Sequence, residues 1–140
     1  MSRVQLALNV SDLDAAVAFY SKLFATEPAK RYPGYANFAI AEPPLKLVLM
    51  EGPGAPGTLN HLGVEVESTD LVAAADARLR AQGLECATEE EVSCCYAVQD
   101  KVWVDAPDGE PWEIYTVLAD AEADDGRCCD GAPESTARCC

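Results

Sequence analysis

No stretch of about 18 consecutive apolar residues occurs in the sequence, so no membrane-spanning helix is expected. The opening, MSRVQLALNV, passes directly into strand-like alternation. A charged n-region followed by a continuous apolar h-region is missing, which speaks against a signal peptide and for a cytoplasmic protein. Basic residues are scarce: 10 Lys and Arg stand against 24 Asp and Glu, a net charge of −14. Nucleic acid and anionic membrane are themselves polyanions, so neither is an expected partner. The C-x2-C spacing of a zinc site does not occur. Histidine occurs once, at His61.

Cysteine, by contrast, is plentiful. There are 7, and all but Cys86 fall into adjacent pairs: Cys94-Cys95, Cys128-Cys129 and Cys139-Cys140. Neighbouring cysteines bond to each other only with strain, and the cytosol keeps thiols reduced. Paired free thiols therefore point to a soft, thiophilic metal or metalloid.

The 140 residues, 49% of them apolar, suffice for one ordinary domain with a real core. Residues 3–10 alternate, with Val4, Leu6, Leu8 and Val10 on one face and Gln5, Ala7 and Asn9 on the other, which predicts a strand. Ser11 offers an N-cap, and the 3.6-residue spacing of Leu13, Ala16, Val17, Tyr20, Leu23 and Phe24 predicts a helix over 12–24. Short strands are expected over 29–31, 36–41 and 45–50. The segment 52–57, dense in Gly and Pro, reads as a linker between halves. The pattern then restarts: a strand over 59–66, a helix capped by Ser68 or Thr69 and stopped at Gly83, and strands over 84–92, 94–98, 101–105 and 112–117. With an offset of 56, Gln5-Leu6-Ala7-Leu8-Asn9-Val10 lies over His61-Leu62-Gly63-Val64-Glu65-Val66. The expectation is an α+β fold of two βαβββ modules, residues 2–51 and 58–118, in one domain over 1–118. Residues 119–140 lack large apolar residues and any period, and read as a flexible, acidic, Cys-rich tail.

This order puts Gln5 and His61 at matching places in the first strands of the two modules, and Glu113 in the last strand of the second. Each has a plain structural account by itself: a solvated strand residue, a satisfied core histidine, the wet face of an edge strand. Their positions together favour a shared site. Cys94-Cys95 stands shortly before the hairpin that delivers Glu113. Adjacent strand residues point to opposite faces, so both thiols can hold one atom only if the backbone leaves regular strand geometry there.

The paired order over residues 2–118 resembles the vicinal oxygen chelate superfamily, which includes glyoxalase I, extradiol dioxygenases and fosfomycin-resistance proteins. That resemblance implies a cup-shaped sheet holding a divalent metal, with Gln5, His61 and Glu113 as ligands. Glyoxalase I uses a fourth ligand on the last strand of the first module. Here that strand, Leu45-Lys46-Leu47-Val48-Leu49-Met50, has no carboxylate at its centre, and Glu51 lies at its end. Three ligands leave about three open positions on an octahedral ion, a variant of the facial triad of non-haem Fe(II) oxygenases.

Cys94-Cys95-Tyr96, Gln99-Asp100-Lys101-Val102-Trp103 and Pro111-Trp112-Glu113, with Pro33-Gly34-Tyr35-Ala36-Asn37-Phe38 and Pro43-Pro44-Leu45-Lys46-Leu47-Val48-Leu49, more specifically resemble the organoarsenical carbon–arsenic lyases. That family also carries the label cadmium-induced protein. The resemblance implies an Fe(II)- and O2-dependent enzyme that cleaves methylated or aromatic trivalent arsenicals to inorganic arsenite. It implies Cys94 and Cys95 as arsenic-binding thiolates, a small-molecule substrate, and a monomer or homodimer. Cys128, Cys129, Cys139 and Cys140 would give auxiliary metalloid binding. The alternatives are a cytosolic protein that sequesters cadmium or arsenite without turnover and, less favoured for want of a fourth ligand, a glyoxalase-like isomerase.

Overall fold

The computed structural model describes residues 2–94 and 97–120. The chain runs β1 (Arg3–Val10), α1 (Leu13–Phe24), β2 (Lys30–Tyr32), β3 (Tyr35–Ile40), β4 (Leu45–Glu51), β5 (Leu59–Glu65), α2 (Thr69–Ala81), β6 (Ala87–Cys94), β7 (Ala97–Asp105) and β8 (Pro111–Asp120). This is βαβββ twice, an α+β fold, as the repeat predicts. Two compact units divide within β5: one is Arg3–Gly63, the other begins at Val64. Among the described residues, no helix is long and apolar enough to cross a membrane.

In the first unit the strand order is β2-β3-β4-β1-β5. β1 runs parallel to β4, while β3 is antiparallel to both β2 and β4. A parallel neighbour needs a crossover, and α1 supplies it. The helix starts one residue later than its spacing suggests. Asp12, not Ser11, is the N-cap: it is extended at φ −137° and accepts from Ala15 N–H. Glu51 accepts from Leu13 N–H at 3.0 Å, tying the end of β4 to the helix start. A carboxylate so placed satisfies an orphan donor and complements the helix dipole. Leu13 and Val17 pack with Ala36, Phe38, Ile40, Leu47 and Leu49, and Leu6, Leu8 and Val10 close over them. Phe38 is fully buried, so Phe38→Ala is expected to cost about 3–5 kcal/mol. Urea denaturation would show this as a lower midpoint at unchanged slope.

The second unit orders β8-β7-β6, all antiparallel. Val66 N–H donates to Tyr115 C=O. α2 is capped by Ser68, which accepts from Leu71 N–H. Gly83 follows the helix at φ +85°, the left-handed residue expected there. The helix lies against β7 and β8 and buries Val72 and Leu79.

Most strand boundaries shift from expectation by a residue or a few, and the larger differences fall in β6 to β8. The expected strands over 94–98 and 101–105 are joined in a single strand, β7, because Gln99 and Asp100 between them are buried and paired instead of marking a break. Cys94 therefore closes β6, paired with Ala97, and does not open a strand. β8 extends through Asp120, where Ala97 and Val98 pair with Asp120 and Ala119. Residues 119 and 120, expected to belong to the tail, are therefore part of β8. Backbone pairing holds residues 119 and 120 although they are exposed and lack an apolar pattern.

The alternation in β1 is inverted in depth. Gln5, Ala7 and Asn9 are the buried set, while Leu6, Leu8 and Val10 are only half-buried against α1 and its strands. Opposite Gln5 stands Lys46, and opposite Asn9 stands Met50; Asn37 and Tyr35 follow on β3. The second unit has a similar polar face. Lys101 is opposite Tyr115 and Trp103 is opposite Glu113, and all four are buried.

Candidate metal and substrate site

Gln5 and His61 are each the third residue of their strands, β1 and β5. Both are buried, at 3% and 1% exposure. Their side chains meet: Gln5 Nε2 lies 2.8 Å from His61 Nε2. On the other side of the ring, Nδ1 lies 2.7 Å from Asn60 Oδ1. A carboxamide oxygen only accepts, so Nδ1 carries the proton and Nε2 keeps its lone pair, toward which the Gln5 amide donates. That tautomer, with Nδ1–H held by a hydrogen-bond acceptor, is the form in which a histidine ligates metal through Nε2. The offset-56 alignment thus brings together the two residues it matched.

Glu113, the third residue of β8, belongs to the second unit and is 1% exposed. Lys101 Nζ donates to its Oε2 at 2.9 Å, and Lys101 is as deeply buried. The ammonium also lies 5.4 Å from the Trp103 ring centroid, within cation–π range. Sequence reasoning gave Lys101 no role. The available signal was a lone cation in β7 beside the apolar run Val102-Trp103-Val104, where an exposed strand face would not be expected to begin.

Cys94 lies at the last position of β6. Cys95 and the tail cysteines Cys128, Cys129, Cys139 and Cys140 lie outside the described residues. Ahead of Cys94, the β6–β7 register shifts between Glu89 and Val92, and Glu91 takes φ +49°. Asp100 holds that irregularity from β7: its Oδ1 accepts from Glu91 N–H at 2.8 Å and its Oδ2 accepts from Thr69 Oγ1 at 2.6 Å. Cys86 is a free cysteine with its thiol against Leu84 C=O.

An imidazole with a bare Nε2, an amide and a carboxylate make a donor set suited to a divalent first-row metal. The residues fit such an ion by their chemistry. Among the described residues, no three His, Cys, Asp or Glu side chains form a metal-binding group; the expected set has one of each of two such residues and completes itself with an amide. Glu51, the only carboxylate at the end of β4, is engaged by Leu13 N–H.

Residues 3–114 match the Glyoxalase/Bleomycin resistance protein/Dioxygenase superfamily. A trivalent organoarsenical cleaving enzyme of Thermomonospora curvata is 63% identical over 134 residues, covering 92% of this chain and 89% of that protein. The cadmium-induced protein CadI of Mycobacterium tuberculosis is 62% identical over 144 residues, covering 94% and 95%. Among solved structures, the Mn(II)-bound glyoxalase from Novosphingobium aromaticivorans aligns with a TM-score of 0.61 at 24% identity, over 91% of this chain and 44% of that one; the likeness is one of fold. With its βαβββ repeat and near full-length relatives, the chain belongs to the Glyoxalase/Bleomycin resistance protein/Dioxygenase superfamily and, within it, to the group that includes the trivalent organoarsenical cleaving enzymes and CadI.

Proposed function

We propose that this protein is an Fe(II)- and O2-dependent lyase that cleaves the carbon–arsenic bond of trivalent organoarsenicals and releases inorganic arsenite, as a cytoplasmic detoxification step. The observation that carries the reading is the near full-length likeness to proteins named for cleaving trivalent organoarsenicals, in a chain whose Cys94-Cys95 pair begins at the last residue of β6. Cys94 and Cys95, as thiolates, hold the arsenic, a soft centre that two sulfurs bind while its carbon substituent stays accessible. Gln5, His61 and Glu113 hold the metal. Bound there, Fe(II) supplies the one-electron chemistry that lets O2 oxidise the As–C bond.

The remaining work falls to the protein's own groups. Asn60 keeps the Nδ1 proton and so leaves Nε2 as the ligating atom. The Gln5 amide, which turns its nitrogen toward Nε2, presents Oε1 to a metal after a half-turn about its last torsion. Lys101 donates to Oε2 of Glu113 and offsets the carboxylate's charge. Two thiolates and three ligands together hold both reactants in register, the main source of rate in such a site. For methylarsenite, one O2 balances the atoms as arsenous acid plus formaldehyde. The tail pairs Cys128-Cys129 and Cys139-Cys140 serve as auxiliary metalloid-binding groups.

Sequestration without turnover is the competing reading, favoured by the likeness to the cadmium-induced CadI. A buried histidine poised to ligate through Nε2 has no use in a purely thiol-based store. The test is turnover: reduced protein loaded with Fe(II) is given methylarsenite in air and under anaerobic conditions, and arsenic species are separated. The expected result is arsenite formed only in air. Methylarsenite retained unchanged on the protein in both arms would establish sequestration.

A further inference from the structure

The segment 52–57, which reads in sequence as a linker between halves, is bound together with Thr58 to β1 around one residue, Asn9. Asn9 N–H donates to Thr58 C=O at 2.9 Å, and Gly57 N–H donates to Asn9 C=O at 2.8 Å. From Asn9 a chain of side-chain hydrogen bonds leads to His61. Thr58 Oγ1 donates to Ala55 C=O. Asn9 Nδ2 donates to Thr58 Oγ1 at 3.0 Å. Asn60 Nδ2 donates to Asn9 Oδ1 at 3.0 Å, and Asn60 Oδ1 faces His61 Nδ1 at 2.7 Å.

The direction of the whole chain is determined at its far end. A backbone carbonyl can only accept, so Ala55 commits the Thr58 hydroxyl proton. The Thr58 oxygen is then left to accept, which turns the Asn9 amide nitrogen toward it and the Asn9 oxygen away. Asn60 must present its nitrogen to Asn9 and its oxygen to the imidazole. A carboxamide can be inverted end for end with little change in shape, but inverting either one here would set two donors or two acceptors face to face. Packing adds a second constraint: a Cβ on Gly54 would lie 2.5 Å from Asn9 Cγ and Oδ1, so only glycine at 54 lets the segment close over the Asn9 carboxamide.

We propose that Thr58, Asn9 and Asn60 are positioning residues that fix His61 as its Nδ1–H tautomer, and that the 52–58 segment is the anchor that orients them. The tautomer assignment stands on hydrogen-bond geometry alone; its consequence for metal binding rests on the functional reading above. Removing such an outer partner typically weakens metal affinity about 10–100-fold.

His61 is the only histidine, so 15N-labelled, metal-free protein gives the signals of a single imidazole. Spectra are recorded across a pH series, and the tautomer is read from those of the neutral ring. Wild type is expected to show a protonated Nδ1 and a bare Nε2. Asn60→Leu is expected to move the proton toward Nε2 and to weaken Co(II) binding by about 10–100-fold. Asn60→Asp, which still accepts from Nδ1, is expected to keep the wild-type tautomer. Thr58→Val, an exposed position that does not touch the ring, is expected to shift the tautomer in the same direction as Asn60→Leu, by less. A wild-type spectrum with Nε2 protonated, or a Thr58→Val spectrum identical to wild type, would overturn the proposal. Since the spectrum needs neither metal nor substrate, absence of turnover with an intact Nδ1–H signal would count against the lyase reading and leave this one standing.

Discussion

Lys101→Met is expected to lower stability by about 3–5 kcal/mol, the usual cost of removing one partner of a buried ion pair. Lys101 and Glu113 are each 1% exposed, and 2.9 Å separates Nζ from Oε2. Without the ammonium, the carboxylate stays in the same dry surroundings and loses its Lys101 partner; the cation–π contact with Trp103 is lost with it. Set against a typical total of about 5–15 kcal/mol, that loss removes a large share of the stability. Chemical denaturation of metal-free protein reads it directly. The double variant Lys101→Met/Glu113→Leu is expected to regain most of the loss, since replacing a buried pair by apolar residues of similar volume is often neutral. If Lys101→Met costs under about 1 kcal/mol, in the range of an exposed pair, the ion pair is not what holds the polar face of β7 and β8 together.

The largest expected effect on activity comes from the thiols. Cys94→Ser and Cys95→Ser are each expected to reduce kcat/KM for methylarsenite by at least about 100-fold, the scale on which losing the alignment of reacting groups is felt. A hydroxyl is nearly the size of a thiol but is hard and weakly acidic, so it does not hold trivalent arsenic as a thiolate does. The substitution leaves the β6–β7 ladder intact, since Cys94 pairs with Ala97 through the backbone. Co(II) affinity and thermal midpoint are therefore expected to stay at wild-type values, and these measurements separate a substrate defect from a damaged fold. A Cys94→Ser/Cys95→Ser protein that still turned over at near wild-type rate would move arsenic binding to the other cysteines.

The two halves of the candidate site were legible in the sequence to different degrees. Gln5 and His61 follow from the internal repeat: a period of 56 residues places them at equivalent strand positions, and the structure joins them at 2.8 Å. Lys101 was not legible, because charge in a strand ordinarily marks the solvent face and only a partner as buried as Glu113 explains its place. The break wrongly expected between residues 98 and 101 has the same origin. Gln99 and Asp100 read as a break between strands, yet Asp100 is satisfied by Glu91 N–H and Thr69 Oγ1, neither of them adjacent in sequence.

By itself, the sequence determined what depends on local pattern: the βαβββ order, its duplication, and both helices with a stop at Gly83. Tertiary structure decided which face of each strand is buried most deeply. In β1 that face is the polar one, Gln5, Ala7 and Asn9, although apolar residues are ordinarily the more buried. It also decided that a Gly- and Pro-rich segment binds β1 and points the Asn60 oxygen at His61. The reason is physical: periodicity records that two faces of a strand differ. How deeply each is buried, and which proton sits on which nitrogen, is set by hydrogen-bond partners about 50 residues away in the chain, as Asn9 and Asn60 are at a separation of 51.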